Sequence, residues 1–384
     1  MTELTRYPGS AGQPPATASA LVTGRVFLLD SPRYTARVPR FLAADRSGLV
    51  LSGDGSHTKA GQIWRQADVP LLIDPASYAR QIATADEPFA LGNEGTLVDI
   101  GLDTLLTGQR QCHAAVAITP SRYVQAGDSA AFKALVRQAQ VIERDDVIVA
   151  VPVALPWLTQ EQYLPQLVAG LQRIPHPKAV MFGHQKNQNN PFDAAAAIPN
   201  FRRLLAETAG VGLWRADLLA AFDCLAHGGA FAAIGAGGSL RHLVPPGQNP
   251  DSRDPRVHTP AVLLPAMLRY SMGGFIADKY ASATAPNCGC VVCRGATLNR
   301  FDSLSGDVRA TAHAHNAAVW TAWLSDLFGH PDGPARQLWW RGMCRAAVDA
   351  HVQENARLRQ KDAFKPSAAL KKLASLQLLA GQYT

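Results

Sequence analysis

The sequence contains no run of about eighteen apolar residues, the length a membrane-spanning helix needs, so no span is expected. Its opening stretch, MTELTRYPGSAGQPPATASA, does not join a basic start to an apolar core, and no secretory signal is read there. No internal repeat at a fixed period is visible, which argues against solenoids and propellers. Neither a phosphate loop nor a G-x-G-x-x-G turn lies between a strand and a helix. The glycine-rich GAGGS (235–239) lacks the lysine of a phosphate loop, and reads as a close backbone approach to a flat ligand or as a plain strand-to-loop turn. Cysteine is sparse. Of six, three are clustered, and Cys112, Cys224 and Cys344 are scattered in apolar or helical contexts, as in a reduced cytoplasm.

What is present is a chain of 384 residues, 47% hydrophobic, long enough for one large barrel or two smaller domains. A formal charge of +7 and a pI near 9.2 favour a polyanionic partner modestly. Residues 1–20, rich in Pro, Gly, Ser and Ala, read as a mobile tail. GRVFLLDSPRYTARV and GLVLSGDGSHTKAG, strand-formers between turn residues, read as a small antiparallel element ahead of the main fold. From VPLLID onward, short apolar runs alternate with amphipathic segments such as SAAFKALVRQAQVIE. Candidate strands are 71–74, 114–119, 147–153, 179–183, 212–215, 231–235 and 274–277, with a weaker one at 95–100. That rhythm implies right-handed crossovers and a parallel sheet. Eight strands suggest an α/β architecture of the (β/α)8 barrel type over 21–335, with an open doubly wound sheet as the alternative. Arg336 to Thr384 reads as basic helices whose Lys and Arg either meet phosphates or form a solvated face, with Trp339 and Trp340 in the core.

The organising stretch is Met272 to Asn316. Cys288, Cys290 and Cys293 form a C-x-C-x-x-C knot, followed by His313 and His315. Thiolates this close cannot pair into unstrained disulfides, whereas three of them and one imidazole fit a tetrahedral, structural zinc ion in an inserted segment of about 280–320. Upstream, Asp278 ends the apolar run Met272 to Ala277, which reads as a buried strand. A carboxylate at a strand's carboxyl end is where α/β barrels place catalytic groups. Asp74, ending VPLLID, has the same placement or caps a helix beginning near Pro75. Asp217, in GLWRADLL, is another rim carboxylate or helix cap.

C-x-C-x-x-C with a distant His-Asn pair (His315-Asn316) and a preceding aspartate resembles the tRNA-guanine transglycosylase superfamily. AFAAIGAGGS (230–239) resembles that family's base-pocket strand, and LLIDPASY (71–78) its aspartate-bearing I-L-x-D-S-G-G-F motif. The resemblance covers about residues 70–320 and implies a guanine transglycosylase, with zinc on Cys288, Cys290, Cys293 and His315. It implies Asp278 as the nucleophile that captures the sugar C1 in a covalent aspartyl intermediate, and Asp74 as the proton-handling carboxylate. It also implies base contacts from Ala232, Ala233 and Gly235, and from a loop in FGHQKNQNNPF where Gln185 is the best match, beside His184 and Asn187.

Departures from the family pattern bear on the substrate. The glutamate after the paired glycines is replaced by Gly238, and the base-reading aspartate of the family falls at Val116. Relaxed pocket motifs beside an intact zinc knot resemble the divergent branch that replaces guanine in DNA with a 7-deazaguanine base of the preQ0 kind. Exchange on tRNA and a non-catalytic, zinc-stabilised nucleic-acid-binding protein stay open. A duplex would have to present its base extruded, with accessory DNA-opening proteins or a homodimer as further partners.

Overall fold

The computed structural model describes residues 17–32, 35, 38–92, 101–184, 190–248 and 258–376. Eight parallel strands, β1 (Arg25–Asp30), β2 (Ser47–Ser52), β3 (Leu71–Asp74), β4 (Ala117–Ile118), β5 (Val147–Ala154), β6 (Lys178–Gly183), β7 (Val211–Ala216) and β8 (Phe231–Gly235), lie in the order β3-β2-β1-β8-β7-β6-β5-β4. The Ala115 amide donates to the Leu71 carbonyl at 2.7 Å, bridging the two terminal strands and nearly closing the barrel. Strand residues are almost uniformly buried, as in the VIVAVPVA run of β5, because a parallel barrel is covered on both faces.

Helices pack around this barrel in chain order: α1 (Ala18–Val22), α2 (Ser56–Trp64), α3 (Leu102–Gln111), α4 (Ser129–Gln140), α5 (Pro156–Thr159), α6 (Leu164–Gln172), α7 (Ala197–Glu207) and α8 (Leu218–Ala226). Beyond it come an antiparallel pair, β9 (Ala261–Leu264) and β10 (Arg269–Met272), then α9 (Gly273–Lys279), α10 (Gly306–Gly329), α11 (Pro334–Leu358) and α12 (Ala368–Ser375). The outer helices follow their sequence signals. Asp128 caps α4 by accepting from the Ala131 amide at 2.9 Å, and Phe132, Leu135, Val136 and Ala139 form its buried stripe.

Three expectations need correction. The two N-terminal stretches do not form an antiparallel element: β1 and β2 run parallel and are the barrel's first strands, β1 pairing with β8 on its other side. Residues 274–277 are not a strand but the body of α9. There Gly273, Ile276 and Tyr280 recur at helical spacing and are buried, a period that a run of a few apolar residues cannot distinguish from a strand. Gly273 itself sits so close to the Phe301 carbonyl that an added Cβ would lie 2.1 Å from its oxygen. Within the expected tail, Ala18–Val22 is a helix capped by Thr17 that buries Ala18, Leu21 and Val22, while residues 1–16 and the weak candidate strand 95–100 lie outside the described residues. Trp340 is buried and Trp339 packs against the core, as expected.

Candidate functional site

The cysteine knot is built as the sequence spacing requires. Between Cys288 and Ala296 the chain turns back on itself. Cys288 donates to the Ala296 carbonyl at 3.1 Å and Gly295 to that of Cys288 at 2.8 Å, with Gly295 at φ +88° allowing the reversal. The three sulfurs thereby face one side, toward α10. From that helix His315 presents Nδ1 at 3.7, 3.4 and 3.2 Å from the sulfurs of Cys288, Cys290 and Cys293. All four donor atoms lie within 4.8 Å of one another, a cluster that could hold a metal ion. With Zn–S bonds of about 2.3 Å and a Zn–N bond of about 2.0 Å, this donor set fits a closed, four-coordinate zinc.

Surrounding groups hold the knot in place. The His315 Nε2 faces the Leu263 carbonyl at 2.9 Å, leaving Nδ1 for the metal, and Arg300 donates to the Cys293 sulfur at 3.2 Å. Hydrogen bonds from Cys288 and Cys293 push the Cys290 thiol down, toward the thiolate that a metal needs. Asn316, the second half of the His-Asn pair, accepts from the Leu263 amide at 2.7 Å and donates to the Ala261 carbonyl at 2.8 Å, pinning β9 to α10. His313 is not a ligand. It turns to the other side, where its Nδ1 lies 3.3 Å from Asp30 Oδ2 at the end of β1.

A second cluster of polar groups occupies the carboxyl-terminal mouth of the barrel, where chemistry in this architecture is placed by the loops. Asp74, at the end of β3, is 2% exposed. Its carboxylate accepts from the Ala76 amide at 2.9 Å, from Ser52 Oγ and Trp214 Nε1 at 3.3 Å each, and from the Tyr78 hydroxyl. The Ala76 contact is a local turn, with Ala76 itself left-handed at φ +51°, and no α-helix starts at Pro75. Arg215 closes the network by donating Nε to the Tyr78 hydroxyl at 2.9 Å and Nη2 to Ser52 Oγ at 3.3 Å. The residue has φ +51° at an irregularity in β7, where the register with β8 shifts between Leu213 and Ala216. Such a bulge re-aims a side chain, and a non-glycine residue held left-handed at a barrel mouth is a mark of a functional position.

Just past the end of β7 the carboxylate of Asp217 caps α8, accepting from the Ala220 amide at 2.8 Å, and meets the Asn190 side-chain amide. It is therefore both of the things the sequence allowed, cap and rim carboxylate. Burial is the largest influence on its acidity and lifts it to about 6, against opposing pulls from the Ala220 amide and Arg241. Asp217 shares a narrow cleft with Asn190, Phe182, Trp214, Arg215 and Arg241. A folded-state value above the unfolded one means that the native state holds the proton more tightly. Stability is then expected to fall as pH rises from below 4 through about 6, by roughly 2–3 kcal/mol at most. Denaturant melts of Asp217→Asn across that range should lose this slope, since Asn keeps the cap but does not titrate.

The remaining predicted positions divide clearly. Ala232 and Ala233 lie within β8, fully buried and registered against Val26 and Phe27, so their backbone is committed to the barrel ladder. Gly235 ends the same strand. A Cβ there would fall 2.3 Å from the Leu240 carbonyl, so this glycine is required by the loop folding back on itself. His184 stands at the end of β6, and Gln185 lies outside the described residues. Asp278 is the main correction. It belongs to α9, its side chain is 76% exposed, and its ionic neighbour is Lys279 at 3.9 Å. No described contact links it to Asp74, whose side-chain partners come from β2, β7 and the turn after β3. Tyr78, Trp214, Arg215 and Arg241 were not legible as site residues, because nothing in GLWRAD signals the bulge.

No protein-family model and no curated protein matches the chain. Among solved structures it is similar to the carboxyl transferase domain of Rhizobium etli pyruvate carboxylase with pyruvate, at 11% identity and TM-score 0.33, covering 96% of this chain and 70% of that one. The same domain with 3-bromopyruvate gives 11% identity and TM-score 0.32 over 88% of this chain and 54% of that one. Nitroalkane oxidase from Streptomyces ansochromogenes gives 12% and 0.29 over 87% and 98%. Likenesses this distant assign neither family nor activity to the chain. Among the described residues no helix is long and apolar enough to cross a membrane.

Proposed function

We propose that this protein is an enzyme that replaces guanine in DNA with a 7-deazaguanine base through a covalent aspartyl-sugar intermediate. The observation that carries the reading is the zinc knot of Cys288, Cys290, Cys293 and His315, in C-x-C-x-x-C plus His-Asn form, beside an α/β barrel whose mouth holds buried carboxylates. The zinc would be held by those four residues and would supply stability to an irregular segment. With Asp278 outside the mouth, the attacking carboxylate is Asp217, ionised at neutral pH yet more basic than an ordinary aspartate. Its oxygen bonds to C1 as the bond from C1 to the guanine nitrogen breaks and that nitrogen keeps the electron pair. Asp74 keeps the proton role by holding the Tyr78 hydroxyl, which gives its own proton to the departing guanine nitrogen, and the phenolate left beside Arg215 takes one back from the incoming base. Attack by that base on C1 then frees Asp217.

The test is incubation of the protein with guanine-labelled DNA and tRNA in parallel, with candidate 7-deazaguanines added. Release of label from DNA supports the reading, release from tRNA alone moves it to the tRNA substrate, and release from neither discards exchange. The polymer's phosphates are expected to meet α12, where Lys371 is exposed and Lys372 half-buried. Reversing both charges should weaken DNA binding across sequences, and the slope of log affinity against log salt should flatten by about one to two units in a salt titration.

A further inference from the structure

Two basic side chains at the ends of β7 and β8, Arg215 and Arg241, line the cleft that holds Asp217, and His242 and His184 stand near them. Arg215 comes from the bulge of β7, Arg241 and His242 from the loop after β8, and His184 from the end of β6. They are close enough that Arg215, His184 and Arg241 each add to burial in pushing the His242 imidazole down. Arg241 is fixed by donating Nε to the Gly235 carbonyl at 3.0 Å and Nη2 to that of Ala236 at 2.9 Å, with its guanidinium carbon 3.3 Å from the centre of the Tyr270 ring. Arg215 spends Nε and Nη2 on two hydroxyls, Tyr78 and Ser52.

Among the described residues neither guanidinium forms an ion pair with a carboxylate. Asp74 stands behind Arg215 with Tyr78 and Ser52 between them, and Asp217 acts on Arg241 from within the cleft without an ion pair. Burial pushes Arg241 below its ordinary value despite Tyr270 and Asp217, a cost that an anion joining it would offset, whereas Arg215 is held up against burial by Tyr78 and Asp74 and keeps Nη1 for a ligand. Gly237 and Gly238 border the cluster, and a Cβ on either would meet nothing within 4 Å, so that side is open. In α/β barrels the loops after strands 7 and 8 recurrently receive phosphate.

We infer that the mouth of the barrel at β6, β7 and β8 is a subsite for a phosphate group, with Arg215 as its main donor and His184, Arg241 and His242 around it. A tetrahedral oxyanion suits planar forks arriving from two elements. That the phosphate belongs to a nucleotide rests on the proposed base exchange; that the subsite takes phosphate does not.

Calorimetry on the full chain tests it with inorganic phosphate, deoxyguanosine, its 5′-monophosphate and a dinucleoside monophosphate. The monophosphate should bind at least about tenfold more tightly than the nucleoside, and inorganic phosphate should compete with it. The dinucleoside arm separates a phosphodiester from a terminal or free phosphate. Arg215→Met should lower affinity about tenfold or more, Arg215→Lys less, and Arg137→Met, which removes an exposed charge on α4, not at all. Nucleoside and monophosphate binding alike, or full affinity in Arg215→Met, would overturn the subsite. Should the methionine variant fail to fold, the ligand comparison on the unaltered protein still decides. Phosphate selectivity without exchange on DNA keeps the subsite and discards base exchange, and exchange without selectivity does the reverse.

Discussion

Asp217→Asn is expected to abolish base exchange while Asp278→Asn leaves it at the level of the unaltered protein. The asymmetry follows from placement. Asp217 lies in the cleft with Trp214, Arg215 and Arg241, whereas Asp278 points into solvent from α9. Both substitutions are near-isosteric, and Asn at 217 still caps α8, so zinc content and circular dichroism should be unchanged in each. Asp74→Asn should slow exchange by about 10²–10⁴-fold, the range of a lost proton transfer, because an amide cannot accept from the Tyr78, Ser52, Trp214 and Ala76 donors as the carboxylate does. In Asp74→Asn an adduct through Asp217 should be trapped and located by mass spectrometry. Loss of exchange in Asp278→Asn with full exchange in Asp217→Asn would return the nucleophile to α9 and refute the assignment made from the mouth. The rate should also climb with pH through about 6, as Asp217 ionises.

Removing the metal should have the largest effect on stability. Zinc bound by three thiolates and an imidazole contributes directly to folding, and an ion held by these four residues would tie the 288–296 turn to α10, which in turn holds β9 through Asn316. His315→Ala or Cys293→Ser should bring bound zinc from one ion per chain to near none. A loss of about 3 kcal/mol would lower the melting midpoint of a chain this long by roughly 4 °C. Chelation of the unaltered protein should reproduce the shift, and zinc should restore it. His313→Ala serves as the contrast, since that ring faces Asp30 and not the sulfurs. Full zinc occupancy and an unshifted midpoint in His315→Ala would overturn the ligand set.

The metal centre could be read from the sequence because its information is local. C-x-C-x-x-C brings three sulfurs together over six residues, and the choice of His315 over His313 came from its neighbour Asn316, whose clamp on β9 the structure displays. Strands of the barrel after residue 70 were legible for a similar reason: a strand buried on both faces must be a continuous apolar run. The same rule failed at both ends. RVFLLD and SGLVLS are such runs too, but only closure of the barrel decides that they pair in parallel with each other and that β1 meets β8, some two hundred residues away. In MGGFIADKY the apolar stretch is too short for periodicity to separate a helix from a strand, and packing of Ile276 and Tyr280 settled it.

The site depended most on tertiary structure. Asp74 was visible as a strand-ending aspartate, and Asp217 as a rim residue or cap. That Tyr78, Ser52 and Trp214 converge on Asp74, with Arg215 behind Tyr78 and Ser52, required β2, β3 and β7 to be brought around one mouth. The bulge that turns Arg215 inward leaves no trace in composition, because its cause is a register mismatch between two strands, and register is a property of the pair and not of either sequence alone.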